Sequence, residues 1–145
     1  MMKKTVGIFL GTALMAATLT GVASAAKEVL PESVASFMQP VKGMIGLDSI
    51  TCSSAVNTQI ILTKGEAWAT SDTSAMMDYV YAKVSIYNPD GSFVNSGTDA
   101  QYYTTHAGAS AADTSAWVFD DYAKGSHRYE KTGYNTVTHT TTKNF

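Results

Sequence analysis

Little in this chain can cross-link it or interrupt extended backbone, because its 145 residues include one cysteine and three prolines. A single cysteine rules out an internal disulfide, and with it the small scaffolds that disulfides hold together. Charged residues are also scarce, at 15% of the chain, against about a quarter in ordinary domains. The 45% of hydrophobic residues are enough to bury one core without covalent help.

The first 25 residues have the pattern of a secretory signal. Lys3 and Lys4 provide a charged start, and the apolar stretch from Val6 to Thr20 is too short and too rich in Ala, Gly and Thr for a secure membrane span. Small residues then precede a cleavage site after Ala25. We therefore predict a signal peptide over 1–25 and a secreted, extracellular protein, and the short Met-Met-Lys-Lys opening is typical of a bacterial one.

The charge of the mature chain limits its partners. Without Lys3 and Lys4, 8 of the 10 basic residues remain against 12 acidic ones, a formal charge of −4. Nucleic acid and anionic lipid both require a basic surface, so neither is expected as a partner. After the signal, no apolar run is long enough to span a bilayer.

The segment 26–47 differs in composition from the rest of the mature chain. Four of its apolar residues recur at helical spacing, and Pro31 and Pro40 limit a helix there to about two turns. These four are Val34, Phe37, Met38 and Val41. We predict that 26–47 is a linker, a propeptide or a short docked helix, and that a β domain occupies 48–145.

The clearest strand runs from Asp78 to Tyr87. Val80, Ala82, Val84 and Ile86 alternate in it with tyrosine and polar residues, which predicts one buried and one wet face. It ends at Asn-Pro-Asp-Gly, a sequence typical of a tight turn. We expect a hairpin with a returning strand at 92–96.

Weaker alternation predicts further strands at 58–63, 66–71, 101–106, 115–120, 126–131 and 134–142, with turns at Lys64-Gly65, Ala107-Gly108, Lys124-Gly125 and Thr132-Gly133. Short strands with regular turn signals indicate an all-β fold, a single antiparallel β-sandwich or small barrel of roughly six to eight strands. We also expect Trp68 or Trp117 to fill its core.

Reactive residues show no pattern that supports catalysis. Cys52 paired with a histidine would make a nucleophile, but a cysteine at a strand start is typical of a small buried hydrophobe, or of a thiol linking two chains as a Cys52-linked dimer. His106, His127 and His139 lack recognised metal-ligand spacing. We therefore predict no catalytic residues, no metal site and no cofactor.

An adjacent carboxylate pair, Asp120 and Asp121, is the other candidate for chemistry. Neighbouring residues of a strand point to opposite faces, so we interpret both as solvated turn residues. Likewise, the sequence around Asp90-Gly91 lacks the spaced oxygen ligands of a calcium loop.

Tyrosines are the most suggestive feature. Amphipathic rings beside Thr, Ser and Asn give a sheet contact area for sugars, peptides or proteins, although cross-strand pairing alone also favours tyrosine on a wet face. The candidate binding residues are Tyr79, Tyr81, Tyr87, Tyr129 and Tyr134. The sequence favours a non-catalytic protein that recognises a cell-envelope component, glycan or protein partner; the alternatives are an antimicrobial or toxin-like protein with 26–47 as a leader or membrane-active piece, and then an extracellular hydrolase.

Overall fold

A computed structural model of the chain describes residues 30–115 and 118–145. The signal predicted over 1–25 and the side chain of Trp117 lie outside the described residues. The described residues form six strands: β1 (Ser33–Met38), β2 (Ile50–Ile61), β3 (Lys64–Tyr87), β4 (Phe93–Asp113), β5 (Tyr122–Glu130) and β6 (Val137–Asn144). All pairings are antiparallel, so the predicted all-β class is confirmed.

The long hairpin of β3 and β4 organises the sheet. β2 pairs with the first part of β3, up to Thr73, and β5 pairs with its second part, from Tyr79 onward. β4 pairs with β3 along both parts, and β1 and β6 lie outside β2 and β5. A single sheet thus contains two halves, joined where the register of β3 and β4 shifts between Asp72 and Met77.

The two halves of the sheet fold onto each other at this shift. The Ser71 hydroxyl, in the first half of β3, donates a 2.8 Å hydrogen bond to the carbonyl of Tyr81 in the second half. β4 bends with it, and its Tyr103 has a positive φ of 52°, an uncommon conformation for a residue other than glycine. The folded sheet is nearly closed into a barrel.

Two sets of contacts bring the free edges of the barrel together. Within β4, the Asp99 carboxylate accepts a 2.9 Å hydrogen bond from the backbone N–H of Gly108. The nearby Gly97 has no room for a side chain, because a Cβ there would overlap the backbone of Ser110. On the other side, the N–H of Thr142 in β6 donates to the carbonyl of Pro31 at 3.0 Å, just before β1.

Small residues line much of the interior. Ala67 lies opposite Ala111, and Ala69 opposite Ala109, on the inward face of the first half of the hairpin. Larger buried side chains come mainly from the second half and from the ends of β1 and β2; among them are Met38, Ile50, Val56, Met77, Val80, Val84, Ile86 and Tyr129. Because these alanine side chains are small, rings from β5 and β6 have room to reach across the interior.

The strand and hairpin predicted around 78–96 are confirmed. Val80, Ala82, Val84 and Ile86 are all fully buried. The backbone of Asn88 closes the turn, since its N–H donates to Ser92 and its carbonyl accepts from Gly91. Within 30–115 and 118–145, no helix is long and apolar enough to cross a membrane.

Of the three alternatives predicted for 26–47, a linker, a propeptide or a short docked helix, the helix is wrong for the residues that the structure describes. Ser33–Met38 is strand β1, which pairs residue by residue with β2 from Ser33↔Ala55 to Met38↔Ile50. The sheet therefore begins before the boundary predicted at 48. In so short a segment, the helical spacing of a few apolar residues favours a helix less than the hydrogen bonds to β2 favour a strand.

Several smaller predictions also differ. Residues 118–120 are not in a strand and Ser115 is at a bend, so the strand expected at 115–120 is absent from the described part of that loop. The turn expected at Ala107-Gly108 lies inside β4, and the stretches 66–71 and 78–87 are one continuous strand, β3. Of the two tryptophans considered for the core, Trp68 is only half-buried, because the flanking alanines take the inward positions; Trp117 lies outside the described residues, so the expectation that one of them fills the core stays a prediction.

Candidate functional site

Outward-pointing tyrosines form a cluster where the second half of β3 meets β4. Tyr79 and Tyr81 lie on the same face, with ring centroids 6.4 Å apart and an interplanar angle of 18°. Tyr102 of β4, directly opposite Tyr79, brings its ring to 5.1 Å. Because Tyr102 is 68% exposed, this first aromatic cluster presents ring surface to solvent.

A second aromatic cluster lies on the same face at the other end of the strand. Tyr87 stacks on Tyr122 of β5 at 5.3 Å and contacts Phe93 of β4 edge-on at 5.9 Å. Tyr81 and Tyr87 are six residues apart, which corresponds to about 20 Å along a strand. We call the two clusters and the residues between them the tyrosine face.

Between the clusters, the tyrosine face is polar. The outward positions there, opposite one another across β4, β3 and β5, carry Ser, Thr and Lys, namely Lys83, Ser85, Ser96, Thr98, Lys124 and Ser126. Arg128 forms an ion pair with Glu130 on this face. Ser85 is only 6% exposed, and the hydroxyl and amino groups of the others can supply hydrogen bonds to a ligand that lies along the strands.

The hydroxyls of Tyr79 and Tyr122 are held protonated by their surroundings. Partial burial raises the pKa of Tyr79, and the neighbouring Tyr102 and Tyr81 add to the increase. Partial burial also raises the pKa of Tyr122, with Tyr87 and Asp90 as further causes. These two rings therefore act as neutral, amphipathic groups that can stack on a ligand and donate hydrogen bonds.

Two of the five candidate tyrosines do not belong to the tyrosine face. Tyr129 is fully buried. It points into the barrel because alternate residues of a strand share a face, and Tyr129 shares the inward face of β5 with His127. Tyr134 comes after β5, packs against the core and donates a 3.0 Å hydrogen bond to the carbonyl of Asp48. Tyr79, Tyr81 and Tyr87 are the three that the structure places together on the outer surface.

Inside the barrel, Tyr129 belongs to a hydrogen-bonded chain with His139. The Tyr129 hydroxyl donates to the carbonyl of Ser53 at 2.6 Å, so it must accept from the Ser54 hydroxyl, also at 2.6 Å. Ser54 in turn accepts from Nδ1–H of His139 at 2.7 Å, and Nε2 of the same ring accepts from the Ser36 hydroxyl at 2.6 Å. Because each hydroxyl has only one proton to donate, His139 must carry its own proton on Nδ1.

His127 has a parallel arrangement. Ser71 donates its only hydroxyl proton to the carbonyl of Tyr81, so it accepts from Nδ1–H of His127 at 2.9 Å. Nε2 of His127 then accepts from the Thr141 hydroxyl at 3.0 Å. A Cβ on Gly125 would overlap the Thr141 hydroxyl, so the glycine leaves the space that this contact needs.

Both histidines are held neutral. Burial lowers the pKa of His127 to about 4, with His139 as a second cause, and burial also lowers the pKa of His139. Every ring nitrogen of the two residues already has a hydrogen-bond partner. None is therefore free to exchange a proton with a substrate, and we interpret the network as one that positions β2, β3, β5 and β6 against each other.

The remaining candidate residues are separate from one another. Cys52 is fully buried and burial raises its pKa to about 11, so the thiolate that a nucleophile or an intermolecular disulfide requires is disfavoured in the folded chain. His106 is exposed and pairs with Asp72 at 2.7 Å. Among the described residues, no group of three His, Cys, Asp or Glu is arranged to hold a metal.

The interpretation of Asp121 as a solvated turn residue is wrong. Asp121 is 2% exposed, and its main-chain carbonyl accepts a 3.1 Å hydrogen bond from the N–H of Phe145. It precedes β5 and faces Asp113 rather than Asp120, because the chain turns at 119–120. Asp120 itself is exposed, as expected.

Sequence analysis missed the buried histidines, although a signal was present. In β5, Ala123, Gly125, His127 and Tyr129 share one parity and the polar residues the other, so the small residues marked the inward face. Comparison with known proteins adds no further signal: no family model, no curated protein and no solved structure matches the chain.

Proposed function

We propose that this is a secreted bacterial protein that acts without catalysis, by binding an extended glycan of a cell surface on its tyrosine face. The observation that carries the proposal is the pair of aromatic clusters on one outward face, with hydroxyl and amino groups between them. Export is proposed on the lysine-rich start and the apolar stretch of the first 25 residues.

The chemistry of the face fits a sugar chain. Tyrosine rings offer apolar area on which the flat faces of sugars pack, and they lose little entropy on binding because they have only two side-chain torsions. The separation of about 20 Å between Tyr81 and Tyr87 suits a ligand that runs along the strand rather than a compact one. Lys83 and Lys124 form no ion pair among the described residues, so both are available to a ligand.

Binding of purified wall glycan and of whole cells tests this proposal. Tyr81→Ser should leave the fold intact and weaken retention by either material, since an exposed ring contributes mainly when a partner removes water from it. Val84→Ala is the matched control on the opposite face of the same strand. It should cost about 2–4 kcal/mol of stability but retain binding below its melting temperature.

Either of two results would contradict the proposal. One is that Tyr81→Ser unfolds the protein as severely as Val84→Ala, which would mean that the ring is structural. The other is that Tyr81→Ser binds glycan and cells as well as the parent does. If the parent binds cells but not purified glycan, and loses cell binding on Tyr81→Ser, the partner is a surface protein.

A second candidate function is supported by the loop between β1 and β2. Val41, Met44, Ile45 and Leu47 are 42%, 53%, 98% and 42% exposed, and the positive φ of 101° at Gly43 and 81° at Gly46 turns the backbone between them. Exposed apolar side chains at a loop tip are suited to insertion into lipid. This favours the membrane-active, antimicrobial or toxin-like alternative, with the activity in 41–47 rather than in all of 26–47.

Leakage of dye from vesicles separates the two functions. A membrane-active protein should release dye from vesicles, and Ile45→Asp should abolish the release while Tyr81→Ser leaves it unchanged. A glycan-binding protein should release no dye, and Ile45→Asp should leave its retention by glycan unaltered.

A further inference from the structure

Asp113 and Asp121 form a buried carboxyl pair at the end of the barrel where β3 begins. Asp113 ends β4 opposite Gly65, and Asp121 lies just before β5. The two residues are 1% and 2% exposed. Nothing in the proposed function uses them, since the tyrosine face lies on the outside of the sheet.

When both groups are ionised, each carboxyl group has an oxygen that no donor reaches, because the hydrogen bond between the two carboxyls requires a proton on one of them. Oδ1 of Asp113 accepts a 2.7 Å hydrogen bond from the N–H of Ser115. The Oδ2 atoms of Asp113 and Asp121 are buried without a hydrogen-bond partner, and neither residue takes part in an ion pair within 30–115 and 118–145. A buried, unpaired carboxylate oxygen is costly enough to require an explanation.

The surroundings of the pair are rich in oxygen atoms and acidic groups. Asp121 lines a surface cavity of about 470 Å³ together with Asn88, Asp90 and Asp120. Burial, followed by the carboxyls of Asp113, Asp120 and Asp90, raises the pKa of Asp121 to about 6. Burial also opposes ionisation of Asp113, but hydrogen bonds from Ser115 and from the Asp121 carboxyl hold its pKa below the usual range. The ionised carboxylate of Asp113 therefore opposes ionisation of Asp121.

We propose that Asp113 and Asp121 bind a divalent cation of the calcium type through their unpaired Oδ2 atoms. Calcium takes six to eight oxygen ligands, including carboxylates, carbonyls and water, and the acidic cavity beside Asp121 is a route for it to enter. The pair supplies only two carboxylates, because no third acidic side chain within the described residues completes a metal-binding group. Low ligand charge corresponds to a weak site, with a Kd of about 0.1–1 mM, as in extracellular modules.

The competing explanation is a proton shared between the two carboxyls, which would satisfy the same oxygens without a metal. The two explanations predict different solution behaviour. A cation site is filled when both groups are ionised, so it stabilises the fold at pH above about 6. A shared proton stabilises the fold only as the pH falls through about 6.

Thermal melting of the signal-free chain at about pH 7.5 distinguishes these explanations, with about 10 mM CaCl2, MgCl2 or NaCl of equal ionic strength, or with EDTA. For a millimolar site, Ca²⁺ should raise the Tm by about 5 °C relative to EDTA, and Mg²⁺ by less. Asp121→Asn and Asp113→Asn should each abolish the increase. Asp48→Asn is the matched control, because it removes the same charge from an exposed position at the opposite end of the barrel, and it should keep the increase.

Calorimetric titration with CaCl2 provides a readout that does not depend on unfolding. It should give saturable heat for the parent and for Asp48→Asn, and none for Asp121→Asn. The proposal is overturned if Ca²⁺ neither shifts the Tm of the parent nor gives heat. It is also overturned if both asparagine variants keep the full calcium response.

Discussion

The two sides of β5 and its neighbours use tyrosine in opposite ways. On the inner side, the hydroxyl of Tyr129 is bonded to Ser53 and Ser54 and the ring is fully buried. On the outer side, Tyr81 lies beside Arg128 in the adjacent strand, and its ring contacts another ring, that of Tyr79. The first tyrosine stabilises the fold and the second is available to a ligand.

Strand parity, rather than residue type, separates these roles. Tyr129 and Tyr81 occupy pairing positions one residue apart, and that single step moves a side chain from the interior to the surface. Histidine shows the same contrast, since His127 is inside the barrel and His106 is exposed and hydrogen-bonded to Asp72. The comparison teaches that a list of aromatic residues becomes a candidate surface only after each is assigned to a face.

The largest expected effect is the difference in stability cost between alanine substitutions at Gly97 and at Gly108. Gly97 lies opposite the buried Val84, and a Cβ there would overlap the backbone of Ser110. Gly97→Ala should therefore cost about 3 kcal/mol or more, because backbone at the closing edge cannot move aside without opening the barrel. At Gly108, a Cβ would meet only the exposed ring of His106, at 3.1 Å.

Gly108→Ala is thus the control, and its free energy of unfolding in urea should stay within about 0.5 kcal/mol of the parent value. Equal costs for the two alanine variants would show that the close approach within β4 does not hold the barrel closed.

The buried histidines predict a pH dependence that exposed groups lack. The pKa of His127 is 6.5 when unperturbed and about 4 in the fold, so the folded chain binds fewer protons than the unfolded chain between these values. The free energy of unfolding contributed by this ring is complete above about pH 6.5 and declines as the pH falls towards 4, by about 3 kcal/mol in total.

Asp121 has the opposite sign, because its pKa is raised to about 6, so the pH profile of the parent alone is ambiguous. We therefore compare the parent with His127→Gln by urea unfolding at several pH values. The stability advantage of the parent over this variant should shrink by about 3 kcal/mol between pH 7 and pH 4. A constant difference would show that His127 is not held neutral.

Removing one tyrosine hydroxyl from the inner side of the sheet and one from the outer side compares the two sides directly, with a smaller expected change in stability. Tyr129→Phe leaves the Ser53 carbonyl and the Ser54 hydroxyl without their partner inside the barrel, which should cost about 1–3 kcal/mol. Tyr81→Phe removes an outward hydroxyl and should change stability by less than about 0.5 kcal/mol. Thermal or urea unfolding measures both, and a reversed order would contradict the assignment of faces.

Local patterns predicted part of this fold, and long-range contacts decided the rest. The alternation of Val80 to Ile86 and the turn after Tyr87 were sufficient to predict the central hairpin, because both are properties of neighbouring residues. The continuity of β3 through Asp72–Met77 was not predictable, since a bent strand depends on what pairs with each half. The same holds for β1, whose strand conformation comes from its pairing with β2.

The candidate site divides in the same way. Tyr79, Tyr81 and Tyr87 were placed on one face by their own alternation, and the structure keeps them there. Tyr129 and the buried Asp121 were misassigned, because their burial depends on Ser54 and Asp113, which are not their neighbours in the sequence. A polar side chain in a short strand gives no local sign that a distant partner will satisfy it.

The most direct test of the tyrosine face is chemical modification of tyrosine rings, quantified by peptide mass spectrometry, with and without purified wall glycan. Our account predicts that glycan reduces the modification of Tyr81 and Tyr102, that Tyr103, which is 75% exposed and outside both clusters, is modified in either case, and that Tyr129 is modified in neither. Undiminished modification of Tyr81 and Tyr102 at saturating glycan would contradict it.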